Sequence, residues 1–238
     1  MKFLFVLAAM CMYTSQSNSS NYLFCHGVGG NAQQVTYYQS YGLLPKEAHS
    51  FNFNDWHDNQ FDQTKTALGQ RADIDVLRVQ LNSLCKQLSR IILYGVSRGA
   101  ATIINFVGKE KPQNVAALIL ESPFAHVDDV INNFVPGAWM LPTNLIMRSV
   151  YPAYNPKGAH PINYLNRISS DIPIAFICSK EDKLVPYTST VKLYKKLVES
   201  GRKNVHLLIL ERGQHANLLN QPEYLTFVQD FLKQYNLL

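Results

Sequence analysis

Residues 90–99 read Arg-Ile-Ile-Leu-Tyr-Gly-Val-Ser-Arg-Gly, and an apolar run from Ala100 to Val107 follows them. The first half is rich in Ile, Leu and Tyr and predicts a strand. The second half predicts a helix that ends before Lys111-Pro112. Gly95-Val96-Ser97-Arg98-Gly99 therefore falls between a strand and a helix, the setting that gives a Gly-x-Ser-x-Gly pattern chemical meaning. A serine on so tight a turn carries its Oγ out above the sheet. A side chain at either glycine would collide with neighbouring backbone. The first peptide N–H after the serine lies at a helix N-terminus, where it points at a reacting carbonyl.

Outward from this unit, short apolar runs alternate with amphipathic ones. Residues 22–25 form a short apolar run that ends at His26-Gly27, and residues 50–53 a weaker, alternating strand. Ile74, Leu77, Leu81, Leu84 and Leu88 recur at helical spacing within residues 71–88. Residues 115–120 and 172–178 are continuous apolar runs, 188–199 is a helix stopped by Gly201, and 205–210 is a further strand. Pro222 opens a last helix with Tyr224, Leu225, Val228, Phe231 and Leu232 on one face. Continuous apolar strands need cover on both faces, so the expected fold is α/β, a mostly parallel central sheet with helices on both faces. Residues 124–167 separate two core strands by more than a connection needs. Val127, Val130, Ile131, Phe134 and Val135 share a helical face there, and Pro136, Pro142, Pro152, Pro156 and Pro161 divide the rest. This stretch is expected to be an inserted helical cap at about 124–167.

Composition narrows the function classes. Of 238 residues 47% are hydrophobic and 16% charged, which excludes a disordered or low-complexity chain. Net charge is +5 with no run of five basic residues, so neither a nucleic-acid nor a polybasic membrane site is expected. Lys2, an uncharged and mostly apolar run at 3–13, and a small polar stretch at 14–21 follow the order of a secretory signal. The run is shorter than the ~20 residues a bilayer span requires, so no integral membrane span is expected. Residues 1–17 are expected to be a signal peptide, with Ser15 and Ser17 before the cleavage point, and the mature chain to be secreted or extracytoplasmic. The alternative is a first strand or helix of the fold, in a cytoplasmic or membrane-associated protein. Cys25, Cys85 and Cys178 lie in apolar surroundings without a Cys-x-x-Cys pair and read as buried free thiols.

A serine hydroxyl is a poor nucleophile at neutral pH and needs a base, which in turn needs an orienting acid. His215, in Gly213-Gln214-His215, follows the strand at 205–210. Asp182, in Glu181-Asp182-Lys183-Leu184-Val185-Pro186, follows the run at 172–178, with Glu181 its rival. Ser97, Asp182 and His215 thus fall at the C-terminal ends of strands, where parallel sheets build their sites. The chain order is Ser, Asp, His.

With these motifs, and with His26-Gly27-Val28-Gly29-Gly30 matching an H-G-x-G-G turn, the chain resembles the α/β-hydrolase superfamily in its serine-esterase, lipase and peptidase-like members. The resemblance runs from about Tyr22 to the C-terminus and implies a single domain at 18–238. It implies Ser97 as nucleophile, His215 as general base and then acid, and Asp182 as the orienting carboxylate. The oxyanion hole would be the backbone N–H of Arg98 with that of Val28 or Gly27. No cofactor and no metal are implied. Ser179 departs from the family where glycine is common, and one or two strands that usually precede the H-G turn are missing, which implies a trimmed sheet.

The implied chemistry is acyl transfer to water, with a small-molecule or lipid-like acyl substrate. Phe124, Ile131, Phe134, Trp139, Met140, Leu141, Leu145, Ile146 and Tyr151 would line an apolar acyl pocket suited to a carboxylic ester, or merely pack the cap onto the sheet. A peptidase or amidase of the same fold is the second reading, and a catalytically silent binding protein the third. His26 reads as structural, and His49, His126, His160 and His206 as surface or satisfied residues. Asp55-Trp56-His57-Asp58 with Asp62 reads as a polar loop rather than a metal site. The Arg98 side chain would bind an anionic substrate or solvate the start of its helix.

Overall fold

The computed structural model describes residues 21–134 and 147–238. The expected signal at 1–17 and the cap residues Val135, Pro136, Trp139, Met140, Leu141, Pro142, Leu145 and Ile146 lie outside the described residues, as does the side chain of Phe134. The main strands are β1 (Asn21–Cys25), β2 (His49–Ser50), β5 (Ile91–Val96), β6 (Val115–Glu121), β7 (Ile174–Ser179) and β8 (Val205–Leu210). They form one sheet in the order β2-β1-β5-β6-β7-β8, and every neighbouring pair is parallel. Two further strands, β3 (Trp56–His57) and β4 (Gln60–Phe61), pair as a small hairpin. Asp58 and Asn59 both take positive φ at its tip, so part of the stretch expected as a polar loop is a two-residue turn.

Period-two alternation along the strands divides the core. Leu23, Leu93, Leu118 and Phe176 point to one face, where α2 (Arg71–Leu84), α3 (Arg98–Glu110) and α6 (Tyr187–Glu199) cover them. Phe24, Tyr94, Ile119 and Ile177 point to the other, under α1 (Gln34–Ser40) and α7 (Pro222–Gln234). Helices α4 (Val127–Phe134) and α5 (Pro161–Tyr164) lie within the long insertion.

Two expectations change in detail. The strand expected at 50–53 pairs only at His49–Ser50. Beyond it the backbone leaves the ladder: the Phe53 N–H donates to His26 Nε2, and the Asn52 side chain takes the Ala32 N–H. Helix α1 was not expected, because Val, Thr and two Tyr in seven residues form a weak helix on propensity alone. Burial of Val35 and Tyr38 supplies what propensity does not.

Gly108 of α3 faces the backbone of α5. A Cβ there would lie 2.2 Å from the Tyr164 carbonyl oxygen, so the end of the insertion is locked to α3 by the absence of one methyl group. Among the described residues no helix is long and apolar enough to cross a membrane. Gly108→Ala is expected to lower the unfolding free energy by about 1–3 kcal/mol, read by urea denaturation, since α5 has to move off α3. An unchanged midpoint would refute that contact.

Candidate active site

Ser97 sits between β5 and α3 with φ 53° and ψ −112°, a conformation an L-residue adopts only under constraint. The constraint comes from both glycines. A Cβ on Gly95 would lie 2.6 Å from the Ala100 nitrogen, and one on Gly99 would lie 2.0 Å from the Cys25 carbonyl oxygen. Gly99 therefore lets α3 start directly against the end of β1. The Ser97 N–H donates to the Glu121 carbonyl at 2.8 Å, fixing the turn to β6.

The loop after β7 carries Asp182, which is buried. Its Oδ1 accepts from the Leu184 and Val185 N–H groups, both at 2.9 Å. Its Oδ2 lies 2.7 Å from His215 Nδ1. An ionised carboxylate only accepts, so the neutral imidazole carries its proton on Nδ1 and leaves Nε2 bare. Glu181, the rival acid, instead accepts the Gly213 N–H at 3.1 Å and holds the histidine loop from below. Ser179 Oγ accepts the Glu181 N–H at 3.2 Å, so the residue that departs from the family pattern serves the same loop. Helix α1 ties the loop from the other side: Tyr37 donates to Asn217 Oδ1 at 2.7 Å and Tyr41 to Asn220 Oδ1 at 2.5 Å.

In the turn after β1, His26 Nε2 accepts the Phe53 N–H and Nδ1 lies 2.8 Å from the Gly27 carbonyl, so the ring proton is on Nδ1. Burial, and then the neighbouring Arg98 charge, push its pKa down to about 4, and the ring is neutral at working pH. It braces the turn. The Gly27 N–H is engaged by Gln34 Oε1 at 3.3 Å, whereas Val28 is exposed to the cavity. The N–H of Arg98 belongs to the first turn of α3 and has no intrahelical acceptor.

The Arg98 side chain contradicts both expectations for it. It is fully buried, neither solvated nor open to substrate. Its Nη1 pairs with Asp55, its Nε lies 4.0 Å from Asp73, and its guanidinium stacks 4.4 Å from the centre of the Phe53 ring. Asp55 thus leaves the group read as a polar loop. It is a buried counter-ion, and Thr66 Oγ1 also donates to it. Asp73 accepts the Gly69 N–H at 2.7 Å, and burial raises its pKa to about 6.

Ser97 and His215 line one cavity of about 340 Å³. Its walls are Leu68 on one side and Val127, Val130 and Ile131 of α4 on another, closed by Phe124, Met147, Tyr151, Leu184 and Val185. Of the expected pocket residues, Phe124, Ile131 and Tyr151 are there. His126 and His160 also line the insertion, with rings stacked at 3.6 Å. His160 is buried and bonds the Pro156 carbonyl through Nε2. His49 is exposed, and His206 bonds the Tyr235 hydroxyl. Among the described residues Cys25, Cys85 and Cys178 are free. Cys25 and Cys178 are buried as expected, and Cys85 is half-buried at the end of α2. Among the described residues no group of three or more His, Cys, Asp or Glu is placed to hold a metal ion.

Three functional side chains were not anticipated. Gln34 lies in the unanticipated helix. Asp73 left a signal, a charge in register with Leu77 and Leu81 on the apolar stripe of α2. Glu121 left another, an acid closing an otherwise apolar strand.

A parallel sheet that gathers the Ser97 turn and a histidine–aspartate pair at one edge, together with the match to a family model, places the chain in the α/β-hydrolase superfamily. Within it the chain belongs to the prolyl oligopeptidase family, whose model matches residues 54–237. The uncharacterized protein YfhR of Escherichia coli K12 is 28% identical over 128 residues, covering 54% of this chain and 39% of YfhR. YqkD of Bacillus subtilis is 26% identical over 175 residues, covering 70% of this chain and 55% of YqkD. The chain thus spans between two fifths and just over half the length of these curated relatives. Among solved structures, the Pyrococcus furiosus esterase Pf2001 superposes with a TM-score of 0.67 at 19% identity, over 91% of this chain and 82% of that one. The Pyrococcus horikoshii acylaminoacyl peptidase gives 0.65 at 16% identity, over 90% of this chain and 37% of that one. At these identities the likeness is one of fold.

Asp55→Ala leaves the Arg98 charge buried beside Asp73 alone and is expected to cost about 3–5 kcal/mol in chemical denaturation. Adding Arg98→Met to it is expected to recover part of that loss. A double variant less stable than the single one would overturn the pairing.

Proposed function

We propose that the chain is a serine hydrolase that cleaves carboxylic esters with an apolar acyl group, using Ser97, His215 and Asp182. The observation that carries this reading is the cavity: the serine and the histidine open into one apolar chamber, with the aspartate buried behind the histidine. His215 Nε2 takes the Ser97 proton as Oγ attacks the ester carbonyl, and Asp182 balances the imidazolium that forms. The N–H groups of Arg98 and Val28 receive the oxyanion. Between Val28 and Gly27, we take Val28 as the second donor because the Gly27 N–H meets Gln34 Oε1 at 3.3 Å. Each such donor is worth ~3 kcal/mol in comparable sites. His215 then returns the proton to the leaving alkoxide. It next activates a water that hydrolyses the acyl-enzyme, and no cofactor enters the cycle. Walls of Leu, Val, Ile, Phe and Met favour an uncharged, apolar acyl chain.

A second reading, a peptidase or amidase, draws on membership of the prolyl oligopeptidase family. An amide-selective site supplies hydrogen-bond partners for the flanking peptide, and the cavity walls offer few. Matched p-nitrophenyl esters and p-nitroanilides separate the two readings.

A fluorophosphonate probe is expected to label Ser97 in the folded protein, read by intact mass and peptide mapping. Ser97→Ala and His215→Ala are expected to abolish labelling and to lower ester turnover about 10⁴-fold or more. No label on the folded wild type would sink the hydrolase reading. Across p-nitrophenyl esters, kcat/KM is expected to rise from acetate to medium chains, and Ile131→Trp to shift the preference back toward acetate. A wild-type optimum at acetate, or faster anilide than ester hydrolysis, would rule out the apolar-ester assignment.

A further inference from the structure

Residues 67–70 make a tight turn just before α2, closed by the Gln70 N–H on the Ala67 carbonyl at 3.1 Å. Its two central residues, Leu68 and Gly69, both take positive φ, 50° and 85°. Such a turn favours Gly, Asn or Asp at both places, because a larger side chain crowds the backbone there. Gly69 meets that demand and Leu68 does not. Eight non-glycine residues take positive φ among the described residues, and of these Leu68 alone has a branched apolar side chain. Three of the eight, Leu68, Ser97 and Ala216, line the cavity. Backbone strain of this kind persists only where the surroundings impose it, and it gathers at functional sites. Here the surroundings hold the turn on both sides. The Gly69 N–H donates to the buried Asp73 Oδ2 at 2.7 Å, and the Gly69 carbonyl accepts from the buried Asn105 Nδ2 of α3 at 2.9 Å. A Cβ on Gly69 would come within 3.0 Å of the Ala101 Cβ and 3.2 Å of the Thr102 nitrogen, so the turn rests on the start of α3. Ala101 donates its N–H to the Ser97 carbonyl at 3.0 Å. Leu68 is buried and shares an apolar cluster with Ala101 and with Val127 and Ile131 of α4. Its side chain is thus held at the serine end of the cavity.

We propose that Leu68 is a specificity-determining residue: its fixed side chain crowds the first carbons of a bound acyl group, so the site takes straight-chain acyl esters and rejects those branched next to the carbonyl. This deepens the ester-hydrolase reading and rests on it. Attack ties the acyl carbon to Ser97 Oγ, so the carbon beside the carbonyl lies within reach of what stands over the first turn of α3. A mobile wall would yield to an extra methyl group. A leucine on a turn pinned through both backbone groups of Gly69 yields less. Asp73, which pins one of them, also lies beside Arg98, so the wall and the serine turn share one anchor. Crowding by a single methyl or methylene group in an apolar pocket changes rate by about 10- to 200-fold.

The test compares p-nitrophenyl butyrate with p-nitrophenyl isobutyrate, which share their atoms and leaving group and differ only in the branch. The ratio of their kcat/KM values cancels any loss common to both. Leu68→Ala is expected to lower the wild-type butyrate-to-isobutyrate ratio about tenfold. Leu68→Gly also frees the turn and is expected to lower the ratio in the same way, and it carries the test if Leu68→Ala fails to fold. In thermal unfolding Leu68→Gly is expected to melt about 2–4 °C above Leu68→Ala, the reverse of the usual order, because only Ala keeps a Cβ at the strained φ. A ratio unchanged in both variants, or a gain confined to long straight chains such as octanoate, would overturn the assignment while ester hydrolysis itself stands. A Leu68→Gly that melts below Leu68→Ala would count against it too, since the wall would then lack the strain that fixes it. Wild type inert toward both esters and toward fluorophosphonate would instead sink the hydrolase reading, and this one with it.

Discussion

The charge of Arg98 is buried out of reach of water, and much of the site's geometry follows from the need to neutralise it. An isolated buried guanidinium would cost several kcal/mol, so its partners have to be brought to it. Asp55 and the Phe53 ring come from the loop after β2, and Asp73 from the start of α2. The neutral His26 ring lies beside the guanidinium from the turn after β1, with its proton directed to the Gly27 carbonyl. Three separate segments therefore converge on the residue that follows Ser97. The two N–H groups assigned to the oxyanion belong to Arg98 and to the turn that His26 braces. Their spacing is thus set by an ionic cluster beneath them, a stiffer reference than a surface loop provides.

The other face of the sheet solves a related problem with neutral groups. Tyr38, Tyr94 and Tyr224 surround Glu121, and Tyr94 and Tyr224 hydroxyls also bond each other. Tyr37 and Tyr41 reach from the same helix to the His215 loop. Helix α1 thus spans the site. Gln34 at its start holds Gly27, and its tyrosines hold the carboxyl and the loop of the base. One face fixes the Ser97 turn with charge, and the other fixes the His215 loop with hydroxyls and rings.

The sheet and the serine turn between strand and helix were legible in the sequence because their signals are local. A continuous apolar run is buried on both faces wherever it lies, and glycines at 95 and 99 are demanded by contacts within one turn and its nearest strand. The split between Asp182 and Glu181 also followed from position, although only the coordinates show that Glu181 binds the Gly213 N–H. What was misread depends on distant partners. Arg98 beside a serine reads as solvent or substrate contact, because the acids that bury it lie 43 and 25 positions away in the chain. Helix α1 forms against the sheet rather than by propensity. The strand at 50–53 lost its ladder to a histidine side chain from another turn. Asp73 and Glu121 were visible as acids in apolar stripes, a pattern that signals a buried partner without naming it.

The arrangement separates recognition from chemistry. Asp182 bonds His215 directly, and Glu181 holds the loop of that histidine through the Gly213 N–H. The chamber above is walled by apolar side chains from α4 and from loops at Leu68 and Leu184. An apolar wall contributes burial to any acyl group that fits, and it discriminates by shape at only about 1–3 kcal/mol per methylene. Changes in the insertion therefore alter which acyl group fits while leaving the charge distribution around His215 intact. The converse also holds: a change at Arg98 disturbs the Ser97 turn whatever fills the cavity. The supports of the Ser97 turn and of the His215 loop lie in the sheet and its flanking helices, and the cavity walls lie largely in the insertion and the loops above it.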